Sequence, residues 1–146
     1  MTRREQATGK AGEEQAASAL RRFGCEMVEK IGTPVRLIPA KITGTYKVIF
    51  GEKVSGDHRA ILPGGRSVLA ETKTILERNL TWSDLREHQP ERLDQHADCG
   101  GLSLLVWVSS GGVFIMQWPI DGFGPGIGIT IERAQELAID SYRYAA

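Results

Sequence analysis

Two apolar runs, LSLLVWV over 102–108 and VFIMQW over 113–118, are separated only by the short stretch Ser109 to Gly112. A run without polar alternation reads as a strand covered on both faces, and a second run across a short turn reads as its neighbour. Such a sheet needs a layer on each side. The rest of the chain supplies helices for this purpose, so the sequence predicts an α/β fold with a mixed β-sheet flanked by helices. The length of 146 residues suits one domain over 1–146, since domains commonly hold roughly 100–150 residues.

A first helix is expected from about Gly9 to Arg22, with Thr8 as cap and Gly24 as stop. Its apolar stripe is Ala16, Ala17, Leu20 and Phe23, and helical spacing puts Glu13 on the same face. EMVEKI, PVRLIP and TYKVIF read as short strands, and His58 to Leu62 with Ser67 to Lys73 read as a hairpin around Pro63-Gly64-Gly65-Arg66. A second helix is expected over about 85–98, starting near Gln89 if Pro90 sits in its first turn, and ending at Gly100-Gly101. A last helix is expected from about Ile131 to Tyr144 with Thr130 as cap. The glycine-rich stretch before it, Gly122 to Gly128, has neither a dinucleotide nor a P-loop fingerprint and reads as a flexible connection.

Charge gives no overall preference for nucleic acid, because 18 basic side chains balance 18 acidic ones. The two parts of the chain differ, however. Residues 1–50 hold nine basic against five acidic side chains, and 51–146 hold nine against thirteen, which permits a basic surface beside an acidic pocket. No apolar run approaches the ~20 residues of a membrane span. The polar amino terminus lacks a signal-peptide core, so a cytoplasmic protein with no membrane partner is expected. Cys25 and Cys99 are expected to be buried free thiols.

The hairpin carries the chemistry. Glu71 and Lys73 are two apart on the otherwise apolar VLAETK and project from one face. A two- or four-residue loop would pair Asp57 with Thr72, whereas a three-residue loop or a bulge would bring Asp57 opposite Glu71 or Lys73. We expect the second register. Two carboxylates beside a lysine suit a hard divalent cation such as Mg²⁺, for which Mn²⁺ would substitute. Glu13, from the core side of the first helix, would complete the acidic site or bind a second metal, and Lys73 would hold the water or neutralise charge developing on a scissile phosphate. The alternative is a solvated surface hairpin whose charges pair for solubility.

G-D-H-R-A-I followed by E-T-K (Asp57, Glu71, Lys73) resembles the PD-(D/E)xK nuclease signature, with Gly56 in place of its proline. The order and spacing of neighbouring segments resemble RecU-type Holliday junction resolvases over roughly residues 9–108. These are the first helix with Glu13, the stretch VEKIGTPVRLI, and the run LREHQPERLDQHADCGGLSLLVWV. Gly32 and Ser55 replace a proline and a threonine of the family, and the segment from Pro39 to Ser55, where the family carries a stalk that enters the junction, is short. The resemblance implies a restriction-endonuclease-like fold and metal ligation by Ser55, Asp57, Glu71 and Gln89. It also implies a catalytic set of Glu13, Asp57, Glu71 and Lys73, and a homodimer.

The expected function is Mg²⁺-dependent, structure-selective endonucleolytic cleavage of branched or double-stranded DNA, with four-way junctions as the substrate. Lys30, Thr33, Arg36 and Lys41 would contact DNA phosphates, as such residues commonly do. A nuclease of the same fold with another DNA target, or a non-catalytic DNA-binding subunit, are the alternatives. By local reading alone Gln89 is also a plain helix-start residue. His58, His88, His96 and Cys99 match no common zinc spacing, and His88 and His96 read as helix-surface residues. Of the three tryptophans, only Trp82 lies in a polar stretch where it could stack on a base.

Overall fold

The computed structural model describes residues 3–32, 35–50 and 58–143. Along the chain come α1 (Arg3–Phe23), β1 (Glu26–Lys30), β2 (Val35–Pro39), β3 (Tyr46–Phe50), β4 (His58–Leu62) and β5 (Arg66–Thr74). Then follow β6 (Leu80–Thr81), a 3₁₀ turn (Trp82–Asp84), α2 (His88–Asp98), β7 (Leu102–Ser109), β8 (Gly112–Gln117), β9 (Gly128–Ile129), α3 (Ile131–Leu137) and β10 (Ala138–Tyr142).

Six strands form one mixed sheet in the order β1-β4-β5-β7-β8-β10. Only β5 and β7 run parallel. A parallel pair needs a long crossover, and the segment carrying α2 provides it. Strand β7 is buried along its whole length, and its side chains alternate between two cores. Leu104, Val106 and Val108 join Ala16, Ala19 and Leu20 of α1 on one face, while Leu105 and Trp107 join Leu93 of α2 and Ala134 of α3 on the other. Each buried Leu or Val among them contributes about 1.5–3 kcal/mol by leaving water, which is why the continuous apolar run dictates helices on both faces.

Helix α1 begins well before the expected Gly9, because Arg, Glu, Gln and Ala are good helix formers that carry the helix through Thr8. It stops at Gly24, whose φ of +116° lets the Cys25 amide turn back to the Leu20 carbonyl at 3.0 Å. Helix α1 also approaches β5 closely at Gly12, where a side-chain Cβ would overlap Thr74 Oγ1.

Pro90 falls in the first turn of α2, where its missing N–H costs nothing, so the helix starts at His88 rather than near Leu85. The last helix is much shorter than expected. Thr130 caps it by accepting from the Arg133 amide at 3.0 Å, but α3 ends at Leu137. The following Ala138–Tyr142 is the edge strand β10, paired antiparallel with β8. β-Branched and aromatic residues there favour a strand, and β8 gains a partner for its backbone groups. The glycine-rich stretch ends in β9, which pairs with β6, so it is not wholly irregular.

Strands β2 and β3 form a two-stranded ribbon of their own, from Val35 opposite Phe50 to Pro39 opposite Tyr46. The ribbon thus begins before Pro39, and its turn is closed by Thr45 Oγ1 donating to the Ile42 carbonyl at 2.7 Å. Leu37, Tyr46 and Val48 share one face of it and are all more than half or about half exposed, at 61%, 64% and 50%. No helix among the described residues is long and apolar enough to cross a membrane. Cys25 is buried, as expected, whereas Cys99 is exposed because it caps the carboxy-terminal end of α2.

Candidate active site on strand β5

The loop between β4 and β5 is the three residues Pro63-Gly64-Gly65, with Leu62 opposite Arg66 and His58 opposite Ala70. Gly64 and Gly65 both take positive φ, at +98° and +92°, which such a turn requires. This is the odd register expected of the sequence, established as far as His58. Asp57, Ser55 and Thr33 lie outside the described residues.

Glu71 and Lys73 face α2, level with Leu105 and Trp107 of β7. Glu71 is 2% exposed. An isolated carboxylate at that depth would be strongly unfavourable, so its partners carry the argument. Gln89 Nε2 donates to Glu71 Oε1 at 2.5 Å, and Lys73 Nζ stands 3.5 Å from the same oxygen. Gln89 is itself fixed at its other end, because its Oε1 accepts from the Arg86 backbone N–H at 2.8 Å. A flipped amide would set oxygen against the carboxylate and NH₂ against an N–H, so only one orientation satisfies both neighbours.

That orientation changes the part Gln89 plays. A hard cation takes an oxygen, and the only side-chain oxygen of Gln89 is held by the Arg86 amide. In this arrangement Gln89 presents its NH₂, not its oxygen, to Glu71, so it acts as a donor that aims that carboxylate. Glu71 does fit, as a buried carboxylate of the kind a hard cation takes. Among the described residues no group of three or more His, Cys, Asp or Glu side chains gathers as a metal set.

Glu13 is placed elsewhere. It sits on α1, which covers the opposite face of the sheet, and pairs with Lys30 of β1 at 2.6 Å. Together they line an open pocket with Lys10, Arg21 and the buried His58. Lys30 keeps a largely exposed side chain, Lys41 is exposed in the ribbon turn, and Arg36 lies on β2 opposite Ile49. Helical spacing correctly turned Glu13 toward the sheet but could not say which face of the sheet carries Glu71.

Two expectations for aromatic and imidazole groups change. Trp82 stacks on Trp118 with ring centroids 5.9 Å apart and meets Phe123 edge-on at 5.1 Å, so it is part of a packed aromatic cluster. His96 is not a plain surface residue. Its two ring nitrogens lie 3.0 Å from Ser67 Oγ and 2.9 Å from Ser103 Oγ. Neither serine carries a sequence signal, because the contact joins three elements that are distant in the chain.

No protein-family model matches the sequence. No curated protein matches it at a significant level.

Proposed function

We propose that this protein is a metal-dependent endodeoxyribonuclease of the restriction-endonuclease-like type, similar to RecU-type resolvases and cutting four-way DNA junctions as a homodimer. The observation that carries the reading is the pair Glu71 and Lys73, side by side on a central strand and joined to Gln89 of α2. Glu71 is buried and Lys73 half-buried, and an ion pair withdrawn from water contributes little net stability compared with apolar side chains of the same volume. Glu71 lies one residue beyond the last described pair of a hairpin of odd register, His58 opposite Ala70, and this position favours a chemical role.

Asp57 and Glu71 would hold a divalent cation such as Mg²⁺, with Ser55 beside them; when bound, it would polarise the phosphodiester and acidify a water. In hydrolysis the water oxygen bonds to phosphorus, the ester P–O bond breaks, and the leaving alkoxide takes up a proton. Lys73 supplies positive charge next to the phosphoryl oxygens as negative charge develops there. Gln89 keeps the Glu71 carboxylate aimed, so its role is positioning. Lys30, Arg36 and Lys41, with Thr33, would bind backbone phosphates, and the exposed β2–β3 ribbon occupies the part of the chain where the resembling family carries its stalk.

The test is cleavage of a labelled four-way junction beside a matched duplex with Mg²⁺, using the wild type and Asp57→Ala. Paired symmetric nicks confined to the junction, and lost in Asp57→Ala, are expected. Cutting of both substrates would keep the nuclease and remove the junction preference. Metal-independent DNA binding without cutting would replace this reading with a non-catalytic DNA-binding subunit.

A further inference from the structure

Gln89, Leu93 and His96 follow one another at spacings of four and three on α2, which places them on one face of the helix. All three meet the sheet. Gln89 reaches Glu71 at 2.5 Å, Leu93 is buried in the core, and His96 Nε2 reaches Ser67 Oγ at 3.0 Å. Glu71 and Ser67 stand four apart on β5 and so share a face. The helix stripe is thereby fastened to one strand at two points.

The hydrogen-bond chain through His96 fixes its proton. Ser103 on β7 gives its one hydroxyl proton to the Leu93 carbonyl at 2.8 Å. Its oxygen must then accept from His96 Nδ1 at 2.9 Å, so Nδ1 carries the proton. Nε2 is left as an acceptor, and the Ser67 hydroxyl donates to it. Burial, with the nearby Arg66 guanidinium, keeps the His96 pKa below its ordinary value, so the ring is neutral at neutral pH. Gly101 lets the ring lie close, because a Cβ at that position would overlap its atoms. A hydroxyl rather than a carboxylate backs Nδ1, and Arg66 opposes an imidazolium, so the chain is not built to make Ser67 a nucleophile.

We infer that His96 is a positioning residue: by bonding to β5 and β7 at once it sets where α2 lies along β5, and so holds Gln89 opposite Glu71. A misplacement of about 1 Å far from the reacting atoms can cost on the order of a hundredfold in rate. The link from His96 to α2 placement rests on geometry alone; its consequence for DNA cleavage rests on the nuclease reading.

The test compares wild type, His96→Ala and His96→Asn by the ¹⁵N-edited side-chain amide resonances of Gln89, by thermal melting and by single-turnover cleavage of a four-way junction with Mg²⁺. In folded His96→Ala the Gln89 amide resonances are expected to move toward those of a free amide and exchange faster. Cleavage should slow by roughly tenfold or more, as for loss of supporting hydrogen bonds at other sites, with DNA affinity unchanged. His96→Asn, whose amide can still donate toward Ser103, should restore both in part. Unmoved Gln89 resonances in folded His96→Ala would overturn the inference. If His96→Ala does not fold, Ser67→Ala removes only the β5 bond and decides by the same resonances. If no protein cuts DNA, wild type included, the nuclease reading fails while the amide resonances still decide the role of His96.

Discussion

The side-chain amide of Gln89 donates to the buried Glu71 carboxylate at 2.5 Å and accepts, through its oxygen, from the Arg86 amide at 2.8 Å. One side chain thus joins the first turn of α2 to the middle of the sheet. Gln89→Leu is expected to lower stability by about 1–3 kcal/mol, since a hydrogen bond to a charged, buried acceptor is removed. Urea unfolding measures this. A loss within about 0.5 kcal/mol, the range of ordinary surface substitutions, would show that the contact does not hold Glu71.

Asp84 receives two bonds from the Arg78 guanidinium, at 2.6 and 2.9 Å, and one from the Thr81 amide at 2.8 Å. Arg78 above all, helped by Thr81 and opposed by burial, pulls the Asp84 carboxyl down to about 2. The unfolded value is ~3.9, so the pair's contribution is complete above pH ~4 and is lost as pH falls toward 2. Arg78 is more than half exposed, and after allowing for solvent screening the loss is on the order of 1 kcal/mol. Asp84→Asn should flatten this acid limb of a stability–pH curve.

His96 acts in a higher pH range. Its pKa in the fold lies below the ordinary 6.5, through burial first and Arg66 second. As pH falls below that ordinary value the unfolded chain takes up the proton first, so stability declines until the folded value is passed. Chemical unfolding between pH 7.5 and 5 should show the decline in wild type and a shallower slope in His96→Asn.

Gly12→Ala sets two effects against each other. Alanine favours a helix by about 1 kcal/mol over glycine, but its Cβ would overlap Thr74 Oγ1 where α1 crosses β5. Overpacking commonly costs about 1–3 kcal/mol, so net destabilisation is expected. Gly12→Ala with Thr74→Ala should regain stability relative to Gly12→Ala alone, and a double-mutant cycle reads the coupling.

The two thiols should separate cleanly. Cys99 is exposed, whereas Cys25 is buried and its thiol pKa is pushed up by that burial. A thiol reagent should modify Cys99 rapidly in the native protein and Cys25 only on unfolding.

Much of the sheet was legible because its signals are local. The unbroken LSLLVWV run and the Pro63-Gly64-Gly65 turn fix two faces and one register over a few residues. The edge strand β10 was not legible: Thr130 starts a helix, and only the unpaired side of β8 decides that Ala138–Tyr142 leaves it. The pairing of Glu71 with Lys73 followed from period two alone. The orientation of Gln89, the placement of Glu13 with Lys30 and the Ser67–His96–Ser103 chain depend on how α1 and α2 dock, and no local pattern encodes that.

The most direct measurement is single-turnover cleavage of a four-way DNA junction with Mg²⁺, comparing wild type with Lys73→Met at matched DNA occupancy. The Glu71–Lys73 site predicts cutting by wild type and a fall of about a hundredfold or more in Lys73→Met, with DNA binding retained. Equal cutting by the two proteins, or none by wild type, would contradict it.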